Sequence, residues 1–209
     1  MSILKRLSIT ETELTKVADD NSNLYCILEG YACEIHFEKV INSTPSITHH
    51  FKPGDQNREQ KGDRVVIYKD TEISIEIRNV YRSKKITKTQ DVHGTTTYIG
   101  KFKGCSSHYK DIIFSDGSKL NTTYCSINSG INIYAVCIAP FTDEYKFIYC
   151  LTENLPRATN CNLTDLQKNE IITPYCNIKY PPEYPWTDDI EQILEQVYLQ
   201  KTKPNLINT

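Results

Sequence analysis

Regular alternation of apolar and polar residues is the feature that most constrains how this chain folds. In the clearest run, isoleucines occupy every second position and polar residues separate them: Ile73, Ile75 and Ile77 lie among Glu72, Ser74, Glu76 and Arg78. Successive side chains of a β-strand point to opposite faces. The pattern therefore predicts a half-buried strand, with the isoleucines facing a core and Glu72, Ser74 and Glu76 facing water.

Several other segments carry strand or hairpin signals. Asp116 and Gly117 separate two of them and predict a type I′ turn, in which both central residues adopt positive φ. Ala139–Glu144 joins a second hairpin. The further predicted strands are Tyr31–Val40, Arg64–Lys69, Tyr98–Phe102, Tyr109–Ser115, Ser118–Ser126, Ile133–Ile138 and Tyr145–Leu151. About seven or eight antiparallel strands at hairpin spacing favour a barrel or a sandwich.

Helical signals lie towards the two ends of the chain. Thr164 and Gln167 form a capping box that predicts a short helix to about Glu170. Within Thr187–Gln200, apolar residues follow helical spacing and predict an amphipathic helix: Ile190, Ile193, Leu194, Val197 and Tyr198. Such a helix packs on the sheet or binds a partner. Residues 1–24 are polar, with a weak helical stretch near Thr10–Ala18, and are expected to form a loosely held arm.

Length and charge exclude several classes of protein. The 209 residues are the length of one domain. The 24 Lys and Arg residues against 26 Asp and Glu residues leave a formal net charge of −2, so no bulk positive field attracts nucleic acid or an anionic membrane. No apolar run approaches the length of a membrane helix. We therefore expect no nucleic-acid partner and no membrane span.

Cysteines and glycosylation sequons favour an oxidising compartment. The even number of eight cysteines suggests paired thiols: Cys26, Cys33, Cys105, Cys125, Cys137, Cys150, Cys161 and Cys176. Three N-x-[ST] sequons predict glycosylation at Asn42, Asn121 and Asn162. Met1–Ser8 has no apolar stretch typical of a signal peptide, so we expect the sequence to begin at the mature end. The sequence thus predicts a secreted protein; the alternative is a cytosolic protein with free thiols.

The sequence shows no recognisable catalytic constellation. The common hydrolase, metalloprotease and nucleotide-binding signatures do not occur, nor does any C-x-x-C pair. The adjacent His49 and His50 would point to opposite faces of a strand and would chelate a metal poorly. Cys105 with His108 is the nearest approach to a thiol nucleophile beside a base. We expect no enzymatic step, no metal and no cofactor.

One segment is strongly basic. Between Arg78 and Lys103 the only acidic residue is Asp91, and the basic residues are Arg78, Arg82, Lys84, Lys85, Lys88, Lys101 and Lys103. Long basic side chains commonly cover the solvent face of strands. Alternatively, this cluster forms a cationic rim that attracts an anionic ligand, such as a fatty-acid carboxylate or a glycosaminoglycan.

Three stretches resemble the lipocalins, in particular the divergent secreted lipocalins of arthropods. Ser74–Tyr81 followed by Thr97–Gly104 resembles the third and fourth strands of that family. Ile133–Ile138 resembles the strand before the second family signature. Thr142 and Asp143 followed by Tyr145–Tyr149 resemble the T-D-Y signature itself, with one residue inserted. The first family motif, G-x-W, is replaced by Gly30, Tyr31 and Ala32, without the tryptophan.

The resemblance implies an all-β fold: an antiparallel up-and-down eight-stranded β-barrel with a C-terminal amphipathic helix. The expected organisation is an arm over residues 1–24, the lipocalin-like barrel over 25–180, and the helix and tail packed on the barrel over 181–209. By analogy with the family, Cys26 or Cys33 would bridge to Cys137 or Cys176. A Cys105–Cys125 bridge would span the Asp116 hairpin.

The function that the resemblance implies is a secreted carrier of a small, mainly hydrophobic ligand, such as a fatty acid, a pigment or an amine. The barrel wall would be formed by residues of shared parity: Ile73, Ile75, Ile77, Tyr98, Phe102, Tyr134, Val136, Tyr145, Phe147 and Tyr149. The alternative is a secreted all-β module with a filled core, which binds a protein partner through its surface as an inhibitory or host-modulating decoy.

Overall fold

The computed structural model describes residues 3–54, 62–81, 86–105 and 109–203. Helix and strand each make up 33% of the structure. The helices are α1 (Ile3–Leu7), α2 (Glu11–Asp20), α3 (Ser22–Asn42), α4 (Ala139–Thr142), α5 (Asp165–Glu170) and α6 (Ile190–Thr202). The strands are β1 (Ile47–Phe51), β2 (Arg64–Tyr68), β3 (Thr71–Asn79), β4 (Thr87–Gln90), β5 (Thr96–Lys103), β6 (Lys110–Ile113), β7 (Lys119–Thr122), β8 (Ile133–Cys137), β9 (Phe147–Leu151) and β10 (Tyr175–Tyr180).

The centre of the fold is an open five-stranded mixed sheet with strand order β1-β2-β3-β8-β9. Strands β1 to β3 form an antiparallel meander, β8 pairs with β3 in parallel, and β9 pairs with β8 antiparallel. Lys69 and Asp70 join β2 to β3 and both adopt positive φ, 47° and 61°, which are the angles that a type I′ hairpin requires. Two smaller sheets, β10-β5-β4 and β6-β7, lie outside it.

Each face of the central sheet is covered by a different core. The first core packs the odd-numbered residues of β3, β8 and β9 against α3 and α6, with Phe37, Ile193 and Leu194 from the helices. The second core packs the opposite faces of β8 and β9 against β5 and β10, with Phe102 and Ile178. Because both faces of β8 and β9 are covered, every residue of these two strands is buried.

The predicted all-β barrel is therefore wrong. The sheets are open, and the structure is a mixed α/β fold. The parallel β3–β8 pair requires a long crossover, which here contains β4 to β7, whereas an up-and-down barrel joins neighbours by hairpins. The outward orientation predicted for Ser74 and Glu76 is also wrong: Ser74 is buried, and the side chain of Glu76 is only 13% exposed.

The strand predicted for Tyr31–Val40 is a helix instead. Asn21 caps the first turn of α3 by accepting a hydrogen bond from the Leu24 N–H at 3.0 Å. The buried residues of α3 are Cys33, Phe37 and Ile41, which are spaced by four. That spacing places them on one side of a helix, and burial of this side against the sheet outweighs the short period-two run within it.

Several local predictions are confirmed. The β6–β7 and β8–β9 hairpins form as expected, although Gly117 alone, and not Asp116, has positive φ, so the first turn is not type I′. Thr164 and Gln167 make both capping-box hydrogen bonds of α5. Helix α6 buries Ile193, Leu194 and Val197. The weak helical stretch near Thr10–Ala18 forms α2, which Thr10 caps, but the rest of the expected N-terminal arm is also largely helical, in α1 and the start of α3.

Candidate functional site

The β2–β3 hairpin brings together three charged side chains on the face opposite α3. Glu76 and Arg78 are two residues apart on β3 and form an ion pair. Asp63 immediately precedes β2 and lies beside them, with its Oδ2 4.0 Å from Arg78 Nη1. We call Asp63, Glu76 and Arg78 the charged triad.

Backbone hydrogen bonds hold Asp63 in place. Its own N–H donates to the Ile75 carbonyl at 2.9 Å, and its Oδ2 accepts from the Ile77 N–H at 2.8 Å. Gly62, with φ of 85°, precedes it, and a Cβ at that position would lie 2.7 Å from the Ile75 oxygen. Only glycine fits this close approach. The position of the carboxylate is therefore defined by the edge of the hairpin.

The electrostatic environment of the triad disfavours two ionised carboxylates. Burial raises the pKa of Glu76 from its ordinary value of 4.5 to about 7; Arg78 opposes this shift and Asp63 adds to it. Burial also raises the pKa of Asp63, although Arg78 and the Ile77 N–H act in the opposite direction. Burial is the largest cause of both shifts and outweighs the opposing effects of Arg78, Lys110 and Lys52. A bound cation would lower the pKa of both carboxylates.

An open cleft of about 430 Å³ gives access to Glu76 and Arg78. Strand β6 contributes Lys110 to the wall of this cleft. The charge of Lys110 lowers the pKa of Glu76. The Lys110 ammonium lies 3.6 Å from the Cys125 sulfur. Tyr134, which pairs with Glu76 across the β3–β8 register, is fully buried. Among the described residues its hydroxyl has no hydrogen-bond partner. We call the cleft that Glu76, Arg78 and Lys110 line the first cleft.

A buried carboxylate supports the wall of the first cleft. Glu170, at the end of α5, accepts hydrogen bonds from the Ser115 backbone at 3.2 Å and from Asn128 Nδ2 at 3.0 Å. Ser115 belongs to the β6–β7 hairpin, and Asn128 lines the cleft. Glu170 therefore connects the hairpin that carries Lys110 to the loop opposite it.

A second cleft, of about 480 Å³, begins on the other side of Arg78. It lies between the first half of α3 and the end of β3, and its wall includes Tyr25, Asn79, Tyr81 and Lys103. Arg78 lines both clefts. Arg78 therefore lies where the two neighbouring clefts meet, whereas Glu76 lines the first cleft only and Asp63 lies beside them without lining either cleft.

The face of the hairpin that contacts α3 carries a second set of charges. Arg64 is 5% exposed and bonds to Glu34 at 3.1 Å and to Glu38 at 3.2 Å; Glu34 also pairs with Lys52 at 2.7 Å. Here each carboxylate has a cationic partner. This network ties α3 to the hairpin, and Glu34 adds to the negative potential at Asp63.

The ten residues that the sequence assigned to one ligand cavity do not line a shared cavity. Five belong to the first core: Ile73, Ile75, Ile77, Phe147 and Tyr149. Four belong to or pack against the second core: Tyr98, Phe102, Tyr134 and Val136. Tyr145 is 38% exposed and stacks on His36, with 3.8 Å between ring centroids. The two groups lie on opposite faces of the central sheet.

The cysteines are divided between the two cores and the surface. Cys33 and Cys137 lie in the first core, and Cys125, Cys150 and Cys176 in the second. Cys26 and Cys161 are exposed, and Cys105 is partly buried. The three sequon asparagines, Asn42, Asn121 and Asn162, are exposed. The predicted disulfides and glycosylation remain predictions.

The basic segment is only partly described. Arg82, Lys84, Lys85 and His108 lie outside the described residues. Lys88 and Lys101 are exposed, whereas Arg78 and Lys103 line the second cleft. Of the seven basic residues, Arg78 thus belongs to the charged triad and Lys103 shares the second cleft with it, and neither forms the rim of a barrel.

Period-two alternation by itself does not reveal the charged triad, because it predicts that β3 has one face in water. In a strand whose two faces are both covered, Glu76 and Arg78 two residues apart indicate a buried charged cluster. Within the described residues, no group of three or more His, Cys, Asp or Glu side chains could hold a metal ion. A Mg²⁺ ion that keeps several waters, however, is commonly bound by one or two carboxylates plus substrate phosphates.

In the part of the chain that the structure describes, no helix has the length and apolar character needed to cross a membrane. No protein-family model, curated protein or solved structure matches the chain.

Proposed function

We propose that the chain is a divalent-cation-dependent hydrolase of phosphodiester bonds in nucleic acid, with the charged triad as its centre. The observation that carries this proposal is the contact of two carboxylates, Asp63 and Glu76, with Arg78, which lines two open clefts; Glu76 also lines the first of them. Strongly perturbed carboxylates in a cleft are typical of functional sites.

The two carboxylates are suited to a hydrated Mg²⁺ or Mn²⁺ ion. Both belong to the rigid hairpin, and Asp63 is oriented by the Ile77 N–H. A divalent cation here would lower the pKa of both carboxylates and would be completed by waters and a substrate phosphate oxygen. A cation at Asp63 and Glu76 would also lower the pKa of one bound water and so generate the nucleophile.

Arg78 and Lys110 are suited to the anionic substrate. A guanidinium can bind two phosphate oxygens and stabilise the negative charge that develops in the transition state. The Lys110 ammonium adds positive potential on the same side of Glu76. Carboxylates for a cation and cationic groups for an anion, side by side, are the combination that phosphoryl transfer uses.

In the proposed step, a water oxygen attacks phosphorus and its proton passes to solvent; a cation held by Asp63 and Glu76 would lower the pKa of that water. The P–O bond to the leaving sugar oxygen breaks as the new P–O bond forms, and the leaving oxygen takes a proton from a second water. The products are a phosphate monoester and an alcohol, and no oxidation or reduction occurs.

We expect the substrate to be a polymer rather than a small phosphate ester. The first and second clefts meet at Arg78, and Lys103 lies in the second. An extended strand could therefore place one phosphate at the triad while its neighbours contact Lys103 or Lys110. Although the net charge of the chain is −2, these local cations provide the phosphate contacts on which nucleic-acid binding depends.

The test is a cleavage assay on circular plasmid and on labelled single-stranded DNA and RNA, with Mg²⁺, Mn²⁺ or a chelator. We expect cleavage with the cations and none with the chelator. Asp63→Asn and Glu76→Gln should each lower the rate by about 100-fold or more. The matched control is Glu144→Gln, which removes an exposed carboxylate paired with Lys146 and should leave the rate unchanged.

Absence of cleavage of all these substrates would contradict the proposal. So would cleavage that persists in both triad variants, because this would indicate a contaminating nuclease. Purification of Glu76→Gln in parallel with the wild type therefore serves as the contamination control.

The carrier and protein-binding functions expected from the sequence also remain predictions. Because the sheets are open, a carried ligand would have no barrel interior in which to lie. Protein binding is favoured by one observation, the exposed apolar residues of α3, which include Ile27, Tyr31 and Ile35. Extraction of the purified protein followed by mass spectrometry tests for a carried ligand.

A further inference from the structure

Helix α3 exposes an unusual amount of apolar surface over residues 25–35. Ile27, Tyr31 and Ile35 are 56%, 57% and 58% exposed, and Tyr25 and Leu28 are also exposed. A helix segment that is apolar on several sides is normally buried. This surface is contiguous, because residues three and four apart are neighbours on a helix.

Four of the apolar residues of α3 form one line along the helix: Leu24, Leu28, Tyr31 and Ile35. Their spacing of four, three and four is the heptad spacing of a coiled-coil seam. At about 100° per residue, this line lies on the opposite side of α3 from the buried residues Cys33 and Phe37. The seam therefore lies on the side of α3 away from the central sheet, and Leu28 also lines a groove beside α2.

We propose that this seam, Leu24–Leu28–Tyr31–Ile35, is the contact by which two copies of the chain form an antiparallel α3–α3 dimer. The spacing is symmetric about its own centre, between Leu28 and Tyr31. In an antiparallel pair, Leu24 of one copy therefore meets Ile35 of the other, and Leu28 meets Tyr31. A surface that is complementary to itself in this way is what a two-fold symmetric dimer requires.

The charges at the two ends of the helix fit the same arrangement. Asp19 and Asp20 are exposed just before α3, and Lys39 is exposed in its last turn. An antiparallel pair brings the acidic end of one copy near Lys39 of the other, whereas a parallel pair would place the two acidic ends together. Opposite charges at the flanks of a helix pair favour that orientation.

The test is sedimentation of the full chain, whose monomer mass is 24.1 kDa, over a range of micromolar concentrations. We expect the wild type to approach twice this mass as concentration rises. Leu28→Glu and Tyr31→Glu should sediment as monomers with unchanged circular dichroism, since both side chains are already exposed. The matched control Val92→Glu changes a side chain that is 96% exposed, away from the seam, and should remain dimeric.

A charge exchange tests the orientation. Lys39→Asp should weaken the dimer, and the addition of Asp19→Lys and Asp20→Lys to that variant should restore it. A wild type that stays monomeric at all concentrations would overturn the proposal, as would a dimer that survives both seam variants. These readouts are independent of catalytic activity, so neither outcome depends on the proposed hydrolase.

Discussion

The stability of the protein should fall as Glu76 ionises, and Glu76→Gln should remove this pH dependence. Burial raises the pKa of Glu76 from 4.5 to about 7. Between these two values the folded state binds more protons than the unfolded state, so the free energy of unfolding decreases as pH rises. A shift of this size corresponds to about 3 kcal/mol at about 1.4 kcal/mol for each pH unit, lost mainly between pH 5 and pH 8.

The assay is urea unfolding at pH 5 and at pH 8, followed by the fluorescence of Trp186. This is the only tryptophan of the chain, and it packs edge-on against Phe102 in the second core, with ring centroids 5.7 Å apart. In the Gln variant, Arg78 loses its partner at every pH, which costs stability by a constant amount. The decisive quantity is therefore the change with pH of the difference between wild type and variant.

We expect Glu76→Gln to gain about 2–3 kcal/mol relative to the wild type as the pH rises from 5 to 8, since a small part of the effect lies below pH 5. Glu144→Gln, the exposed control, should follow the wild-type curve. Millimolar Mg²⁺ should stabilise the wild type at pH 8 and leave Glu76→Gln nearly unchanged, since a cation that binds only the folded state adds to its stability. A constant difference between Glu76→Gln and wild type at both pH values would refute the reasoning.

Other perturbations test the packing. Phe102→Ala should lower the free energy of unfolding by about 3–5 kcal/mol, because Phe102 is fully buried beside Tyr134; urea unfolding measures this. Gly100→Ala should cost about 1–3 kcal/mol, since its Cβ would lie 2.8 Å from the Phe141 ring, and a neutral effect would contradict that contact. Thr164→Ala should cost about 1 kcal/mol through the lost cap of α5. Thiol titration of the unfolded, unreduced chain tests the disulfides; eight free thiols would exclude them.

Local sequence signals predicted the elements that depend on neighbours along the chain. The capping box at Thr164, the Asp116 hairpin and the apolar stripe of α6 each involve residues within a few positions of one another. Such elements are stabilised by hydrogen bonds and side-chain spacing that the sequence displays directly. These elements are present although the overall fold is not the predicted barrel.

The period-two patterns predicted strands, but they did not predict which helices and strands pack on the two faces of the sheet. Tyr31–Val40 contains Ile35 and Phe37 in alternation, yet it also contains Cys33 and Phe37 at helical spacing, and contact with the central sheet selected the helix. The candidate site could not be located for a related reason. Asp63 and Glu76 are thirteen positions apart, and only the pairing of β2 with β3 brings them together.

The sequence by itself thus determined the positions of the hairpins, the helix caps and the apolar faces, because these depend on interactions between residues a few positions apart. Only the tertiary structure decided that the sheet is open and mixed, that Glu76 lies on a covered face of the sheet, and that Asp63, Glu76 and Arg78 come together beside the first cleft. These outcomes depend on the parallel pairing of β3 with β8 across a crossover of more than fifty residues. No local pattern records such a pairing, since its stability comes from burial on both faces of the sheet at once.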